Sequence, residues 1–202
     1  MKREVRDYLD TYDNDITIES KPEHLWKKNI MIKYDTTSRS YDELYGKEQN
    51  EKYRVFQRLI SEIKGVLLDA GCGTSLLLEY LMFQNVKVMY YVGVDISIGM
   101  LYNALNRIKR LNASADLIQA DIEYLPIRNK AVDTIASITV VSNLYNVERG
   151  VKELERCLKN PGTIVISTLK DVCSSSYMLR RLGYSCVDNE RSKDVFFYKH
   201  IM

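Results

Sequence analysis

Short apolar runs alternate with amphipathic helical patterns from residue 65 to the end of the chain. Apolar runs of four to eight residues predict buried strands, and apolar positions repeated every three or four residues predict helices. The predicted strands are Val66–Asp69, Val86–Asp95, Ala115–Asp121, Ala131–Val141, Thr163–Leu169, Tyr184–Val187 and Val195–Lys199. The predicted helices between them are Leu76–Leu81, Ser97–Leu111, Val147–Leu158 and Ser174–Leu182. This alternation predicts an α/β fold, with a turn at Asn160-Pro161-Gly162 and a closing antiparallel pair of strands.

Residues 1–64 lie ahead of this pattern and predict a helical extension to an α/β core at residues 65–202. A charged helix is expected at Lys2–Leu9. Capping-box sequences at Ser20–Glu23 and Ser40–Glu43 predict the starts of two further helices. The apolar face of the first comprises Leu25, Trp26, Ile30 and Ile32. The second is expected to break at Gly46 and to continue over Lys47–Ile63, packed on the sheet.

A polar break, Asp35–Arg39, separates these two helices. Its backbone polar groups are costly to bury, so it predicts an exposed hinge. Tyr34, Tyr41 and Tyr45 lie beside it, and phenol rings can stack on a flat ligand while donating a hydrogen bond. One interpretation is therefore a lid over a binding site. The other is ordinary amphipathic packing, because 15 tyrosines make a local cluster unsurprising.

Composition narrows the class of protein. The 202 residues are 46% hydrophobic and 28% charged, which predicts a single globular domain with an extension. A net charge of +2 gives no strong field for nucleic acid, so RNA would need a local patch such as Arg107, Lys109 and Arg110. No apolar run is long enough for a membrane, and the charged N-terminus lacks a signal-peptide core, so we expect a cytoplasmic protein. The four cysteines and two histidines lack metal-ligand spacing, so no metal is expected.

The sequence GVLLDAGCGT at residues 65–74 is the stretch with the clearest chemistry. It predicts a buried strand, a glycine turn at Gly71 and Gly73, and a helix beginning after Ser75. Glycines permit positive φ and a close approach of a ligand, and the helix N-terminus offers free N–H groups. The third glycine of the dinucleotide fingerprint is missing, because Leu76 stands there. A strand-to-helix turn without a ligand is the alternative.

Acids end the next two predicted strands. Asp95 follows Val92-Gly93-Val94, at the distance from the glycine turn where a carboxylate can bind ribose hydroxyls. Asp121 follows Leu117–Ala120 in the same way. These acids favour a nucleoside ligand over an empty turn.

The motifs DAGCG, GVDIS, QADIEYLP and VDTIASITVVSNLYN resemble, in order and spacing, those of class I S-adenosylmethionine-dependent methyltransferases of the type 11 kind. The resemblance covers residues 66–169. It implies a Rossmann-like seven-stranded, mostly parallel sheet whose last strand is antiparallel, and S-adenosylmethionine as cofactor. The site residues it implies are Asp69, Gly71 and Gly73 for the methionine part, Asp95 for the ribose, and Ile96, Asp121 and Ile122 for the adenine. Thr139, Tyr34 and Tyr45 are further candidates to contact the cofactor.

In this family the loop after the fourth strand, here Ser142–Tyr145, passes beside the methyl donor. Asn143 and Tyr145 are the candidates to orient an acceptor, although capping and packing explain them equally well. Methyl transfer needs positioning and exclusion of water more than a general base, so the sequence need not carry a diagnostic catalytic residue. The loop has neither the Asn-Pro-Pro-Tyr sequence nor the His-His pair of some related enzymes.

Two functions follow. The first is an active methyltransferase acting on RNA, protein or a small molecule, with RNA the favoured class. The second is a cofactor-binding scaffold or regulatory subunit without turnover. A dehydrogenase is disfavoured by the missing third glycine and by Asp121. The resemblance also implies that a small activator subunit or a homodimer partner is possible.

Overall fold

The computed structural model describes residues 22–60, 63 and 65–201, which form a seven-stranded sheet with helices on both faces. The strands are β1 (Val66–Ala70), β2 (Tyr90–Asp95), β3 (Ala115–Gln119), β4 (Val132–Ile138), β5 (Leu158–Leu169), β6 (Ser185–Asp188) and β7 (Asp194–Ile201). The helices are α1 (Glu23–Thr37), α2 (Tyr41–Leu59), α3 (Leu76–Phe83), α4 (Ile98–Leu111), α5 (Val147–Cys157) and α6 (Cys173–Arg181). Single 3₁₀ turns lie at Ile122–Tyr124 and Val141–Asn143.

The strand order is β3-β2-β1-β4-β5-β7-β6. The pairs among β1 to β5 are parallel, and β7 runs antiparallel to both of its neighbours, β5 and β6. The mostly parallel sheet with an antiparallel last strand is therefore confirmed. After β3 the chain crosses to the other side of β1, so the gap between β1 and β4 is the topological switch point where open α/β sheets bind ligands.

Each face of the sheet has its own apolar core because successive residues of a strand point to opposite sides. Leu68 of β1 packs in a cluster with α5 and α6 residues such as Val151 and Leu179. Leu67 packs on the other face with residues of α2, α3 and α4, among them Phe56 of α2. Residues on both sides of position 64 thus share one core.

Two strand starts differ from the predictions. β2 begins at Tyr90 rather than Val86, because the Val86 amide donates to the Leu81 carbonyl and closes the end of α3. β5 begins at Leu158 and runs through the predicted turn at residues 160–162. Leu158 pairs with Val132, and a register shift between Val132 and Thr134 accommodates the extra residues.

The N-terminal helices also depart from the pattern. α2 continues without a break through Gly46, and the Ser40 side chain makes no capping hydrogen bond at its start. Leu25 and Ile32 are 43% and 49% exposed, so α1 does not present the expected single apolar face. The helix predicted at Lys2–Leu9 and the capping residue Ser20 lie outside the described residues.

The polar break is not the exposed hinge that its composition predicted. α1 continues to Thr37, and both Thr37 and Ser38 are buried. Their hydroxyls donate to the carbonyls of Lys33 and Asp35, and the Asn103 side chain of α4 donates to the Ser38 carbonyl at 2.9 Å. These partners satisfy polar groups that sequence alone leaves unpaired. Among the described helices, none has the length and apolar character needed to cross a membrane.

The buried face of α2 generates a stability prediction. Phe56 is fully buried, so Phe56→Ala should lower the free energy of unfolding by about 3–5 kcal/mol, as large-to-small changes in cores do. Leu44, in the same helix but 41% exposed, provides the control, and Leu44→Ala should change it by less than about 0.5 kcal/mol. Urea unfolding followed by circular dichroism measures both; equal effects would contradict a core role for α2.

Candidate active site

A cleft opens at the carboxyl ends of β1, β2, β3 and β4, at the switch point of the sheet. It encloses about 690 Å³, counting its open mouth. Nine of the predicted site residues line it: Tyr34, Gly71, Gly73, Asp95, Ile96, Asp121, Ile122, Thr139 and Asn143. The parallel register brings these separate segments to one edge of the sheet, as the sequence predicted.

The glycine turn forms one wall. Gly71 and Gly73 have φ of +80° and +53°, the left-handed region that glycine enters without strain. The amides of Gly71 and Cys72 donate to the Val94 carbonyl at 2.7 and 2.9 Å. A Cβ on Gly73 would meet no protein atom within 4 Å, so open space borders the turn there.

Asp95 connects this turn to the end of β2. Its two carboxylate oxygens accept from the amides of Gly73 (2.8 Å) and Ser97 (2.9 Å). Burial raises the pKa of Asp95, although these backbone hydrogen bonds oppose the rise. A carboxylate has about four acceptor positions, so Asp95 can accept further hydrogen bonds from hydroxyl groups of a ligand.

Asp69, at the end of β1, lies in a smaller side pocket that shares Gly71, Gly73 and Tyr41 with the cleft. It is 3% exposed, and the Tyr91 hydroxyl donates to it at 2.7 Å. Burial raises the pKa of Asp69 to about 7, against the effect of that hydrogen bond. No salt bridge to Asp69 is formed within the described part of the chain, so a cation from a ligand would stabilise its charge.

Asp121 differs, because a protein cation already reaches it. Lys27 of α1 places its Nζ 2.5 Å from Asp121 and 2.6 Å from Glu23, above the Tyr124 ring. Burial disfavours the charge on Lys27, but hydrogen bonds to Asp121 and Glu23 raise its pKa overall. Neighbouring residues do not indicate that Lys27 reaches the cleft, because its partner Asp121 lies 94 positions later in the chain.

The segment after β4 is bound to α1. The Asn143 side chain donates to the Tyr34 hydroxyl at 3.0 Å, and the Trp26 indole donates to the Asn143 carbonyl at 2.9 Å. Together with Lys27 and Ile30, Tyr34 places α1 along one side of the cleft. α1 is fixed at its other end by Asp35, which accepts from Ser97 and Gly99 at the start of α4.

Besides Asp69, which lies in the side pocket, two predicted residues do not line the cleft. The Tyr45 ring packs on Tyr41, with ring centroids 5.0 Å apart, and it is Tyr41 that reaches the cleft. Tyr145 contributes its amide, which donates to the buried carboxylate of Glu123 at 2.8 Å. Glu123 also binds the Asn146 amide and Arg149, so it holds the loop after β4 in place.

Two residues of the basic patch predicted from sequence, Arg107 and Arg110, form ion pairs with acids of the protein. Arg107 is 8% exposed and pairs with Glu79 and with Asp42 at the start of α2. It also donates to the Thr74 carbonyl of the glycine turn, and Arg110 pairs with Glu79. Arg107 therefore connects α2 to the turn and is not available to phosphates.

Several residues of the cleft were missed. They share a position on α1 or beside predicted motif residues: Lys27, Ile30, Met100, Ala120, Glu123, Ile138, Val140 and Leu144. Glu123 stands in the QADIEYLP motif, and its apolar neighbours Ile122 and Leu125 were the available hint of burial. Tyr34 of α1 was predicted, but no local signal marked Lys27 or Ile30 of the same helix, because only the fold brings them to the cleft.

Residues 68–166 match the model of a methyltransferase domain family. Through this region the chain belongs to the class I S-adenosylmethionine-dependent methyltransferases. The resemblance stated from the four motifs is confirmed, and S-adenosylmethionine is the cofactor of this family.

Three curated relatives show the range of this methyltransferase family. An uncharacterized protein of Methanocaldococcus jannaschii is 32% identical over 163 residues, which are 79% of this chain and 59% of the relative. A malonyl-[acyl-carrier protein] O-methyltransferase of Hamiltonella defensa is 27% identical over 71% of this chain and 53% of its own. A U6 snRNA guanine-N(2)-methyltransferase of Bos taurus is 31% identical over 55% of this chain and 24% of its own length. The chain thus spans between a quarter and three fifths of the length of these relatives.

Solved structures confirm the fold. A candidate S-adenosyl-L-methionine-dependent methyltransferase of Methanococcus maripaludis superposes with a TM-score of 0.70 at 16% identity, covering 94% of this chain and 96% of its own. A candidate methyltransferase of Haloferax volcanii was solved with the Trm112 methyltransferase activator. It superposes with a TM-score of 0.66 at 14% identity, covering 83% of this chain and 96% of its own. At these identities the likeness concerns the fold alone.

The residues present fit the family cofactor. Asp69 is a buried acid without a protein cation among the described residues, and the methionine part carries an ammonium group. The open space beside Gly73 adjoins Asp95, whose carboxylate is a suitable acceptor for ribose hydroxyls. A nucleoside therefore has both a charge partner and hydrogen-bond partners in the described cleft.

The pKa of Asp69 generates a pH prediction. Because an ammonium group binds the carboxylate and not the acid, affinity for S-adenosylhomocysteine should rise about tenfold between pH 6 and pH 8, as Asp69 deprotonates through its pKa of about 7. Calorimetry across this range measures it. Asp69→Asn should bind more weakly and with a shallower pH dependence. If the affinity of the unsubstituted protein for S-adenosylhomocysteine did not change between pH 6 and pH 8, the assignment of Asp69 to the ammonium group would be contradicted.

Proposed function

We propose that this protein transfers the methyl group of S-adenosylmethionine to an acceptor held in the cleft beside Asn143. Bound S-adenosylmethionine supplies a methyl group already activated on a sulfonium. The chain's residues orient it: Asp69 for the ammonium, Asp95 for the ribose, Asp121 with Ile96 and Ile122 for the adenine. The observation that carries the proposal is the convergence of these acids and the glycine turn on one cleft.

The protein's contribution to the reaction is positioning. Asn143 is the polar group of the loop after β4 that faces the cleft, and α1 covers it through Trp26 and Tyr34. A covered cleft excludes water and aligns the acceptor, which suffices for an in-line displacement from an activated donor. Tyr145 does not line the cleft, so the proposal includes no role for it.

The acceptor class is tested directly. Incubation with methyl-labelled donor, followed by fractionation into RNA, protein and small molecules, assigns the label to one class. RNA was favoured from sequence, and the snRNA-modifying relative supports it; the acyl-carrier-protein relatives support a carboxyl group instead. The occupied Arg107 weakens the RNA argument. A scaffold without turnover would leave every fraction unlabelled while still binding the donor.

Asp95 gives the sharpest test of donor binding. A carboxylate holding ribose hydroxyls contributes roughly 1.5–3 kcal/mol per hydrogen bond, so Asp95→Ala should weaken donor binding at least about tenfold. The effect includes loosening of the turn, since Asp95 also holds Gly73. Calorimetry with S-adenosylmethionine, S-adenosylhomocysteine and NAD measures it.

The matched control is Asp116→Ala, an exposed acid on the neighbouring strand β3, which should bind like the natural chain. Tight NAD binding with none for the donor would overturn the proposed function. Unchanged donor affinity in Asp95→Ala would remove Asp95 from the site.

We also propose that the extension at residues 1–64 contains a cover, formed by the segment from Trp26 to Tyr45, that orders when the donor binds. α1 contacts the cleft mainly through polar pairs, and Lys27 occupies an oxygen of the acid assigned to adenine. Entry of adenine therefore requires Lys27 to move or to share Asp121. α2, in contrast, contributes buried residues to the core from Gln49 onward.

Trp26 makes the cover directly observable, because it is the single tryptophan of the chain. Adding S-adenosylhomocysteine should change its fluorescence and should slow amide exchange between Trp26 and Tyr45, because ordering shields both. Exchange in residues 52–59 of α2 should stay constant and provides the internal control. Equal protection in both states, with unchanged emission, would make the segment plain core packing.

The Haloferax volcanii neighbour supports a second proposal, that a small activator subunit binds this protein. β3 is an edge strand, and within the described residues no further strand pairs with its outer side. Co-expression with a Trm112-type protein, followed by sedimentation, separates an activator complex from a homodimer and from a monomer.

A further inference from the structure

A buried ion pair lies just behind the wall of the cleft. Lys52 of α2 and Asp194 of β7 are 1% and 0% exposed, and the Lys52 Nζ lies 3.1 Å from an Asp194 oxygen. Glu48, one helical turn earlier, holds the same ammonium at 2.9 Å. Taking charges out of water is costly, and such pairs are often no more stabilising than apolar residues. Stability alone therefore does not account for this pair.

Both charged groups bind one residue of the cleft, Thr139. Lys52 donates to the Thr139 hydroxyl at 2.8 Å, and that hydroxyl donates to Asp194 at 2.6 Å. Ser167 of β5 completes the arrangement, because it donates to the same Asp194 oxygen and accepts from the Thr139 amide at 2.9 Å. Thr139 is thus held through its side chain and its backbone at once.

The backbone of Thr139 explains why it needs to be held. Its φ is +61°, in the left-handed region that β-branched residues rarely enter. Such strain persists only where surrounding contacts determine the conformation, and it concentrates at functional sites. The turn it produces brings Val140 against the glycine loop, where a Cβ on Gly71 would lie 2.3 Å from a Val140 methyl carbon.

We infer that Lys52 and Asp194 are positioning residues, which hold Thr139 in its left-handed conformation and so fix the wall of the cleft that faces the glycine turn. Neither side chain lines the cleft, so both act through Thr139 and Val140, which do. The consequence for donor binding rests on the proposed function, whereas the fixing of the turn does not.

The test compares Lys52→Met and Ser167→Ala with the natural chain. Amide exchange over residues 139–143 should accelerate in both variants, and affinity for S-adenosylhomocysteine should fall at least about tenfold in Lys52→Met, or about 1.4 kcal/mol. Lys199→Met is the matched control. Lys199 lies on β7, the same strand as Asp194, pairs with Glu155 of α5 and does not line the cleft. It should leave exchange at residues 139–143 and affinity unchanged.

A second substitution separates geometry from stability. Glycine adopts positive φ without strain, so adding Thr139→Gly to Lys52→Met should restore part of the lost affinity. Absence of any rescue would mean that the pair acts through general stability and would overturn the inference. Unchanged exchange at residues 139–143 in both single variants would overturn it too, and Ser167→Ala alone decides this if Lys52→Met does not fold.

The inference and the proposed function can fail separately. If the unsubstituted protein does not bind S-adenosylhomocysteine, the proposed function is overturned, while the exchange comparison still decides the positioning role.

Discussion

Two hydrogen bonds between the turn after β1 and the end of β2 define the floor of the cleft. The Gly71 amide donates to the Val94 carbonyl, and the Gly73 amide donates to the Asp95 carboxylate. Both require a backbone with positive φ, which is why glycine stands at these positions. The bonds turn the loop toward β2 and leave the N-terminus of α3 behind it. Without them the acid of β2 and the glycine turn would not line one cleft.

Electrostatics then distinguishes three acids that look alike in the sequence. Asp95 is held by backbone amides, Asp121 is paired with Lys27, and Asp69 has neither a cation nor solvent. The different surroundings give each acid a different capacity to bind a ligand. Asp69 lacks a protein cation within the described residues, and burial raises its pKa. A positive charge on a ligand would stabilise its carboxylate form. Paired and amide-bound acids instead offer hydrogen-bond acceptors.

Sequence predicted the parts of this arrangement that are local. The glycine turn and the acids at the ends of β2 and β3 follow from neighbouring residues, and the family motifs add the mostly parallel seven-stranded sheet. The contacts that could not be predicted join distant positions, such as Trp26 with Asn143 and Lys52 with Thr139. A lysine in a helical pattern is ordinarily solvated, and nothing in its neighbours reports a buried partner 142 positions away at Asp194. Exposure of the polar break was mispredicted for the same reason, because its partner Asn103 comes from another helix.

The two helices described in the N-terminal extension, α1 and α2, therefore have different physical attachments. α2 is fixed by full burial of Phe56 and Lys52, so moving it would expose apolar area and break a buried ion pair. α1 is attached by hydrogen bonds and partly exposed ion pairs, which water can replace at small free-energy cost. Local opening follows the least buried contacts first. In the proposed cover, the wall behind Thr139 would stay in place while α1 opens, so that one site would be both preorganised and accessible.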